Sequence, residues 1–292
     1  MQKKVLQLGI PGRMFKERIE ILFQRAGYDI KINEQEATIA IDDPEIHCFF
    51  ARAKEIAPLI ERKILDAGIV SKSVAIETNS KLEEITNLGT LRPEWKESRI
   101  VVGALKTSSI KSPKGLQGKK IITRVPNITE KFLKENNIKA TIEFSDGANE
   151  AKIPEFADAL VEYANTGETL ERHGIKIIAE IMKDSVMLTS NKTALENPWK
   201  KEKLENIGML LKGAQLGEEM VGVMFHVSNT TLKNIYSILP ALKKPTVTPL
   251  RGENWFDVLT VVNRKELREL LPKLQEKGCT DIIEFPLNKI VL

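Results

Sequence analysis

Two cysteines in 292 residues, Cys48 and Cys279, stand far apart with no paired spacing. That argues against a disulfide framework and fits a reducing compartment, with both thiols read as small buried apolar groups. The three histidines, His47, His173 and His226, are separated from one another and show no metal-ligand spacing with the cysteines, so no metal held by protein side chains alone is expected. Aromatic residues are only 5% of the chain, and 44 Lys and Arg against 40 Asp and Glu leave an excess of just +4. With no basic tract interleaved with aromatics, no nucleic-acid partner is expected, and any anionic ligand must be held by local geometry. No run approaches the roughly 20 apolar residues of a membrane span. The stretch Val5 to Ile10 is too short for a signal peptide before Pro11 and Gly12 interrupt it. A soluble, cytoplasmic protein without a membrane partner is the expectation.

What is present is enough apolar content, 42%, to fill more than one core. Val5 to Ile10 reads as a buried strand, and Phe15, Ile19, Leu22, Phe23 and Ala26 recur at helical spacing before Gly27. A strand over 46–51, a helix over 55–63 with Pro58 in its first turn, and a strand over 65–70 continue the alternation of an α/β lobe with a mostly parallel sheet. A second α/β run follows: strands over 100–105 and 120–123, a helix over 129–135 capped by Asn127, and strands over 141–144 and 159–163. A short helix closed by Gly174 comes next, and the apolar stretch 175–189 carries the chain back toward the first lobe. Polar residues 191–205 read as a surface helix or connector. The last unit runs strand 221–227, helix 231–239, strands 246–250 and 255–262, helix 265–277 and strand 281–285, the β-α-β-β-α-β order of a ferredoxin-like domain.

The segment most informative about chemistry is Asp158-Ala159-Leu160-Val161-Glu162-Tyr163-Ala164-Asn165-Thr166-Gly167-Glu168-Thr169-Leu170. Here a strand runs through a small-residue turn into a helix. Amides at the helix start, with the Thr166 and Thr169 hydroxyls beside them, suit phosphate oxygens, and Gly167 allows close approach. Strand alternation puts Asp158, Leu160 and Glu162 on one face, so a carboxylate near the turn can meet ribose hydroxyls or Mg²⁺. An N-capped surface turn is the plainer reading of the same pattern. Arg124, Asn127 and Thr129, between a strand and a helix of the second lobe, are a further candidate anion contact.

These residues also carry a resemblance. Ala157 to Glu162 followed by Asn165 to Leu170 is similar to the phosphoribosyl-pyrophosphate loop of the ATP phosphoribosyltransferase family. Ile41-Asp42-Asp43-Pro44-Glu45-Ile46, Leu65-Asp66-Ala67-Gly68-Ile69, and Phe144-Ser145 with Gly147 to Lys152 resemble further blocks in the same order. Leu239 to Thr246, Glu253-Asn254-Trp255 and Glu284 to Lys289 resemble the regulatory domain of its long form. The resemblance implies two lobes folded like a type II periplasmic binding protein, residues 1–98 with 183–212 and residues 99–182, and a regulatory ferredoxin-like (ACT-like) domain over 213–292. It implies that ATP and phosphoribosyl pyrophosphate are the substrates, with Mg²⁺ as cofactor carried by substrate and met by Asp158. Histidine is implied as allosteric inhibitor and a homo-hexamer as the assembly. By the same carry-over, Asp158 and Arg13 are catalytic candidates, and Asn165, Thr166, Gly167, Glu168, Thr169, Leu170, Glu150 and Asp66 bind substrate. Thr246 and Thr248 are placed near a histidine pocket.

The sequence departs from that family in its first lobe. Gly9-Ile10-Pro11-Gly12-Arg13-Met14 lacks the usual lysine, Ser71 and Ser73 stand where Gly and Asp are common, and residues 35–40 hold no arginine. A catalytically impaired, ligand-binding regulator of the same architecture is therefore the rival reading. A transporter's solute-binding protein is the less favoured third.

Overall fold

The computed structural model describes residues 4–12, 15–33, 35–91, 97–239, 244–252 and 254–292. In chain order the first stretch forms β1 (Leu6–Pro11), α1 (Lys16–Ala26), β2 (Ile30–Asn33), β3 (Thr38–Ile41), β4 (Ile46–Ala51), α2 (Ala53–Glu61), β5 (Ala67–Ser71), α3 (Lys72–Glu77) and β6 (Glu83–Asn87). The second forms β7 (Ser98–Leu105), β8 (Lys120–Thr123), α4 (Pro126–Glu135), β9 (Thr141–Phe144), β10 (Ala159–Ala164), α5 (Glu168–Arg172) and β11 (Ile175–Asp184). The chain then returns through β12 (Val186–Ser190), α6 (Lys192–Glu196) and α7 (Pro198–Glu219). It ends in β13 (Met220–Ser228), α8 (Asn229–Ile235), β14 (Thr246–Pro249), β15 (Trp255–Asn263), α9 (Arg264–Glu276) and β16 (Thr280–Pro286).

Two compact units result. One takes the chain up to Ile21 and Asp29–Gly208; the other takes Leu22–Tyr28 and Met209–Leu292. The first unit holds two five-stranded sheets, ordered β4-β1-β5-β12-β6 and β11-β7-β10-β8-β9. Leu6, Leu8 and Ile10 of β1 are fully buried, each contributing about 1.5–3 kcal/mol by leaving water. The sheets are mixed rather than mostly parallel. β1 runs parallel to β4 and β5, but β12 lies antiparallel to β5 and β6 because it enters the sheet after the excursion into the second lobe. Likewise β8 is parallel to β9 and β10, while β7 is antiparallel to β10 and β11.

Several boundaries differ from expectation for local reasons. Helix α2 starts at Ala53, set by the Glu55 carboxylate accepting the Arg52 amide at 2.9 Å, so Pro58 sits inside the helix rather than in its first turn. Asn127 does not cap α4. Val125 holds the cap position, and the buried Glu77 carboxylate of α3 accepts the amides of Asn127 and Ile128 at 3.2 and 3.0 Å. The polar stretch beyond Asn191 becomes two helices, with Asn197 accepting the Lys200 amide at 3.2 Å as α7 begins on Pro198. Helix α8 stops at Ile235, short of Leu239, in a turn where the Ile238 and Leu239 amides both donate to the Ile235 carbonyl, at 3.0 and 3.2 Å. No helix among the described residues is long and apolar enough to cross a membrane.

The second unit carries a four-stranded antiparallel sheet ordered β14-β15-β13-β16, the ferredoxin-like arrangement. Val221, Val223, Phe225 and Val227 pack with Leu267, Leu270 and Leu274 of α9 in its core. Both cysteines are free and buried, and burial pushes the Cys48 thiol up to about 12 and that of Cys279 to about 11.

Candidate active site

Strands β8, β9 and β10 run parallel, and ligands of such sheets gather at the carboxyl ends of the strands. Beyond that end of β10 the chain turns through Asn165, Thr166 and Gly167. Gly167 has φ +87°, a left-handed conformation that costs another residue roughly 1–2 kcal/mol. The first bond within α5 joins the Glu171 amide to the Gly167 carbonyl at 3.0 Å. The amides of Glu168, Thr169 and Leu170 therefore precede the helix's own ladder. Glu168 spends its amide on Thr166 Oγ1 at 3.3 Å, and its exposed side chain pairs with Arg172 at 3.6 Å. Leu170 turns its side chain into the lobe's core and leaves its amide at the turn.

The turn is open. Residues Ala164–Leu170 line a pocket of about 430 Å³ together with Arg124, Glu150, Glu162 and Tyr163. Glu162 is mostly buried and is fixed from three sides. Asn149 Nδ2 donates to it at 2.9 Å, the Tyr163 amide at 3.0 Å, and Arg124 Nε stands 3.5 Å away. Arg124 also lies 3.5 Å from Asp146. Among the described residues Arg124 Nε and Asn149 Oδ1 are buried without a hydrogen-bond partner, polar capacity that a ligand can satisfy. Asn149 reaches this point because the loop after β9 is thrown into left-handed backbone at Gly147 and Ala148, φ +120° and +48°.

The structure thus brings together Asn165, Thr166, Gly167, Glu168, Thr169, Leu170 and Glu150, with Arg124 and Glu162 beside them. It does not bring Asp158. That residue lies at the opposite end of β10, roughly 20 Å from the turn at ~3.3 Å per residue. There the Lys120 amide at 2.9 Å, and then Lys119, hold its carboxyl below the usual range. The carboxylate at the turn is Glu162, which the strand alternation had put on the same face. Asp66 is likewise displaced. It precedes β5, accepts the Gln7 amide at 2.9 Å and pairs with Lys200 at 2.6 Å, so it braces the first lobe and the return helix. Of the second-lobe anion candidates only Arg124 lines the pocket. Asn127 is bound to Glu77, and Thr129 is buried and donates to the Val125 carbonyl at 2.8 Å. Arg13 lies outside the described residues. Thr246 and Thr248 are exposed on the edge strand β14.

Asn149 and Tyr163 were not singled out from sequence. Asn149 lies in the segment Gly147 to Lys152 with nothing local to mark its role, and nothing local marks Tyr163.

Two family models match the chain in succession, one described as ATP phosphoribosyltransferase over residues 52–213 and one as HisG, C-terminal domain, over 217–289. An ATP phosphoribosyltransferase of Desulfosudis oleivorans is 39% identical over 289 residues, 99% of each chain. One of Thermodesulfovibrio yellowstonii is 37% identical over 291 residues, the full length of both. Among solved structures, the ATP phosphoribosyl transferase (HisG:HisZ) complex from Thermotoga maritima aligns with TM-score 0.60 at 21% identity, covering 71% of this chain and 98% of that one.

Proposed function

Because the chain belongs to the ATP phosphoribosyltransferase family, we propose that the pocket at the end of β10 is where it carries out that family's reaction. The enzyme is a pentosyltransferase of the first step of histidine biosynthesis: N1 of the ATP adenine bonds to C1 of the phosphoribosyl ring while the bond from C1 to pyrophosphate breaks. The products are N1-(5-phosphoribosyl)-ATP and pyrophosphate. Positive charge gathers on the ribose and negative charge on the leaving group, so the protein's tasks are positioning and charge stabilisation. The observation that carries the assignment to this pocket is one open cavity lined by the whole turn Asn165–Leu170 and by Arg124, Glu150 and Glu162.

In this reading the amides of Thr169 and Leu170 and the hydroxyls of Thr166 and Thr169 take the 5-phosphate, at the point where Gly167 removes the obstacle of a side chain. Glu162, rather than Asp158, faces the ribose and opposes its developing positive charge. Arg124 meets the leaving pyrophosphate. Mg²⁺ suits this pocket because it keeps phosphate and water ligands and needs only one or two carboxylates, here Glu150 and Glu162. When bound, it neutralises the pyrophosphate. Work in the cytoplasm, assembly as a homo-hexamer and inhibition by histidine belong to the same reading. The exposed Leu259 and Ile283 on the third sheet support an assembly surface there.

Purified protein given ATP, phosphoribosyl pyrophosphate and Mg²⁺ should release pyrophosphate. A folded protein that binds nucleotide or histidine in a calorimeter yet forms no product would instead be the ligand-binding regulator. Deleting the chain beyond Gly213 should abolish histidine sensitivity, and inhibition persisting in a form that still assembles would place the effector elsewhere.

A further inference from the structure

Of Ser71 and Ser73, where the sequence departs from its family, Ser73 meets the second lobe at the hinge, the crossing from β11 to β12, and Ser71 stands beside it in the first lobe. Ser73 is fully buried at the start of α3. Its hydroxyl donates to Asp184 Oδ2 at 2.7 Å, and its amide donates to Asp184 Oδ1 at 2.8 Å. The same oxygen lies 3.0 Å from the Tyr163 hydroxyl and 2.9 Å from Ser71 Oγ. Since Ser73 gives its one proton to a carboxylate that can only accept, the Tyr163 phenol must be the donor to Ser73. Burial pushes the Tyr163 phenol up to about 12, which keeps that proton in place.

The direction of the chain is therefore fixed: phenol to serine to carboxylate. Its three members come from three places, β10 of the second lobe, α3 of the first, and the last residue of β11 before the crossing at Ser185. The crossing is itself held, with the Lys72 amide donating to the Ser185 carbonyl at 2.9 Å and Asn87 Nδ2 to its hydroxyl at 3.1 Å. Tyr163 links this hinge to the chemistry, because its amide donates to Glu162 at 3.0 Å and the residue lies along the same pocket while its ring packs in the second lobe's core.

We propose that Ser73 is a positioning residue, which through Tyr163 fixes the end of β10, and with it Glu162, relative to the first lobe, while Asp184 holds the serine in that role. This rests on the pocket being the transferase site, and it gives the two serines a purpose in the hinge rather than in contact with nucleotide. Removing the hydroxyl frees Tyr163 to move without touching any group of the pocket. The loss belongs to the reacting geometry and not to phosphate binding.

The test combines kinetics with a distance measurement that needs no turnover. Ser73→Ala and Tyr163→Phe should each lower kcat by about tenfold or more with little change in KM for phosphoribosyl pyrophosphate, since a misplacement of order 1 Å can cost up to ~100-fold. The double variant should be no slower than the slower single one, because the two act as one unit. Ser73→Asp alone sets a second carboxylate against Asp184 and should be worse. The exchange Ser73→Asp with Asp184→Ser keeps one carboxylate and one hydroxyl, and should recover kcat to within about threefold of wild type. Spin labels on exposed Ile64→Cys and Lys139→Cys, one on each lobe, should report a broadened separation in Ser73→Ala. Single variants with unchanged kcat and an unchanged label distance overturn the proposal, as do losses that multiply in the double variant. A wild-type protein that never turns over, but whose label distance still broadens on Ser73→Ala, sinks the transferase assignment and leaves the hinge role standing.

Discussion

Replacing Glu162 by glutamine keeps the side chain's shape and removes its charge. The carboxylate takes hydrogen bonds from Asn149 Nδ2 and the Tyr163 amide and stands 3.5 Å from Arg124 Nε. A glutamine oxygen can retain the Tyr163 amide, but its NH₂ then faces the NH₂ of Asn149, losing a charged hydrogen bond of roughly 1.5–3 kcal/mol. The Coulomb scale of the Arg124 pair is roughly 5 kcal/mol at an effective dielectric of about 20. Arg124 is 35% exposed, and solvent screening brings the pair's share down to ~1 kcal/mol. Together these amount to roughly 2.5–4 kcal/mol, so the melting temperature should fall by about 5–16 °C, at ~2–4 °C per kcal/mol for a unit of this size. Rate is the more sensitive quantity. Withdrawing a fixed group aimed at developing charge costs about 100- to 1000-fold in kcat, or ~3–4 kcal/mol. Steady-state pyrophosphate release, with unfolding followed by circular dichroism, separates the two effects. A Glu162→Gln enzyme with kcat within about threefold of the native value and an unchanged melting temperature would refute the assignment of Glu162 to the ribose.

Three further perturbations test the site and its scaffold. Gly167→Ala forces a side chain into φ +87° and a Cβ to 3.1 Å from Ile177 Cδ1; KM for phosphoribosyl pyrophosphate should rise about tenfold, and wild-type KM would show that the turn's backbone does not hold the phosphate. Glu77→Ala strands the amides of Asn127 and Ile128 at the start of α4, so chemical denaturation should show a loss of roughly 2–3 kcal/mol, and a loss below ~0.5 kcal/mol would mean water replaces the carboxylate. Asp158→Asn bears on pH dependence rather than catalysis. The Asp158 pKa is lowered in the folded protein below its ordinary 3.8, so its stabilisation is complete above that pH and disappears as pH falls through the folded value. The variant should lose up to ~1 kcal/mol at neutral pH, none in strong acid, and no kcat; an equal loss at both ends of the titration would contradict the linkage.

Local sequence determined the elements and the chemistry of the turn. The alternation of Asp158, Leu160 and Glu162, the small residues 164–167 and the helix from Glu168 all form as their spacing implies, because hydrophobic period and the freedom of glycine act within a few residues. The β-α-β-β-α-β order of the last unit was legible for the same reason. The resemblance gave the ribose to Asp158, whereas the structure stands Glu162 at the ligand end and Asp158 at the other end of the same strand face. A strand's period fixes the face and is silent about the position of the ligand along it. The parallel pairing of β8, β9 and β10 gathers the ligand at the carboxyl end of β10, where Glu162 stands, and Asp158 lies at the opposite end. The contacts that brace the site are also tertiary: Glu77 on the start of α4, Asp66 on Lys200, and Asp184 on Ser73 across 111 positions of chain. A buried hydrogen bond between such distant residues leaves no local periodicity to read, and it exists only once two lobes and their crossing strands have been folded against each other.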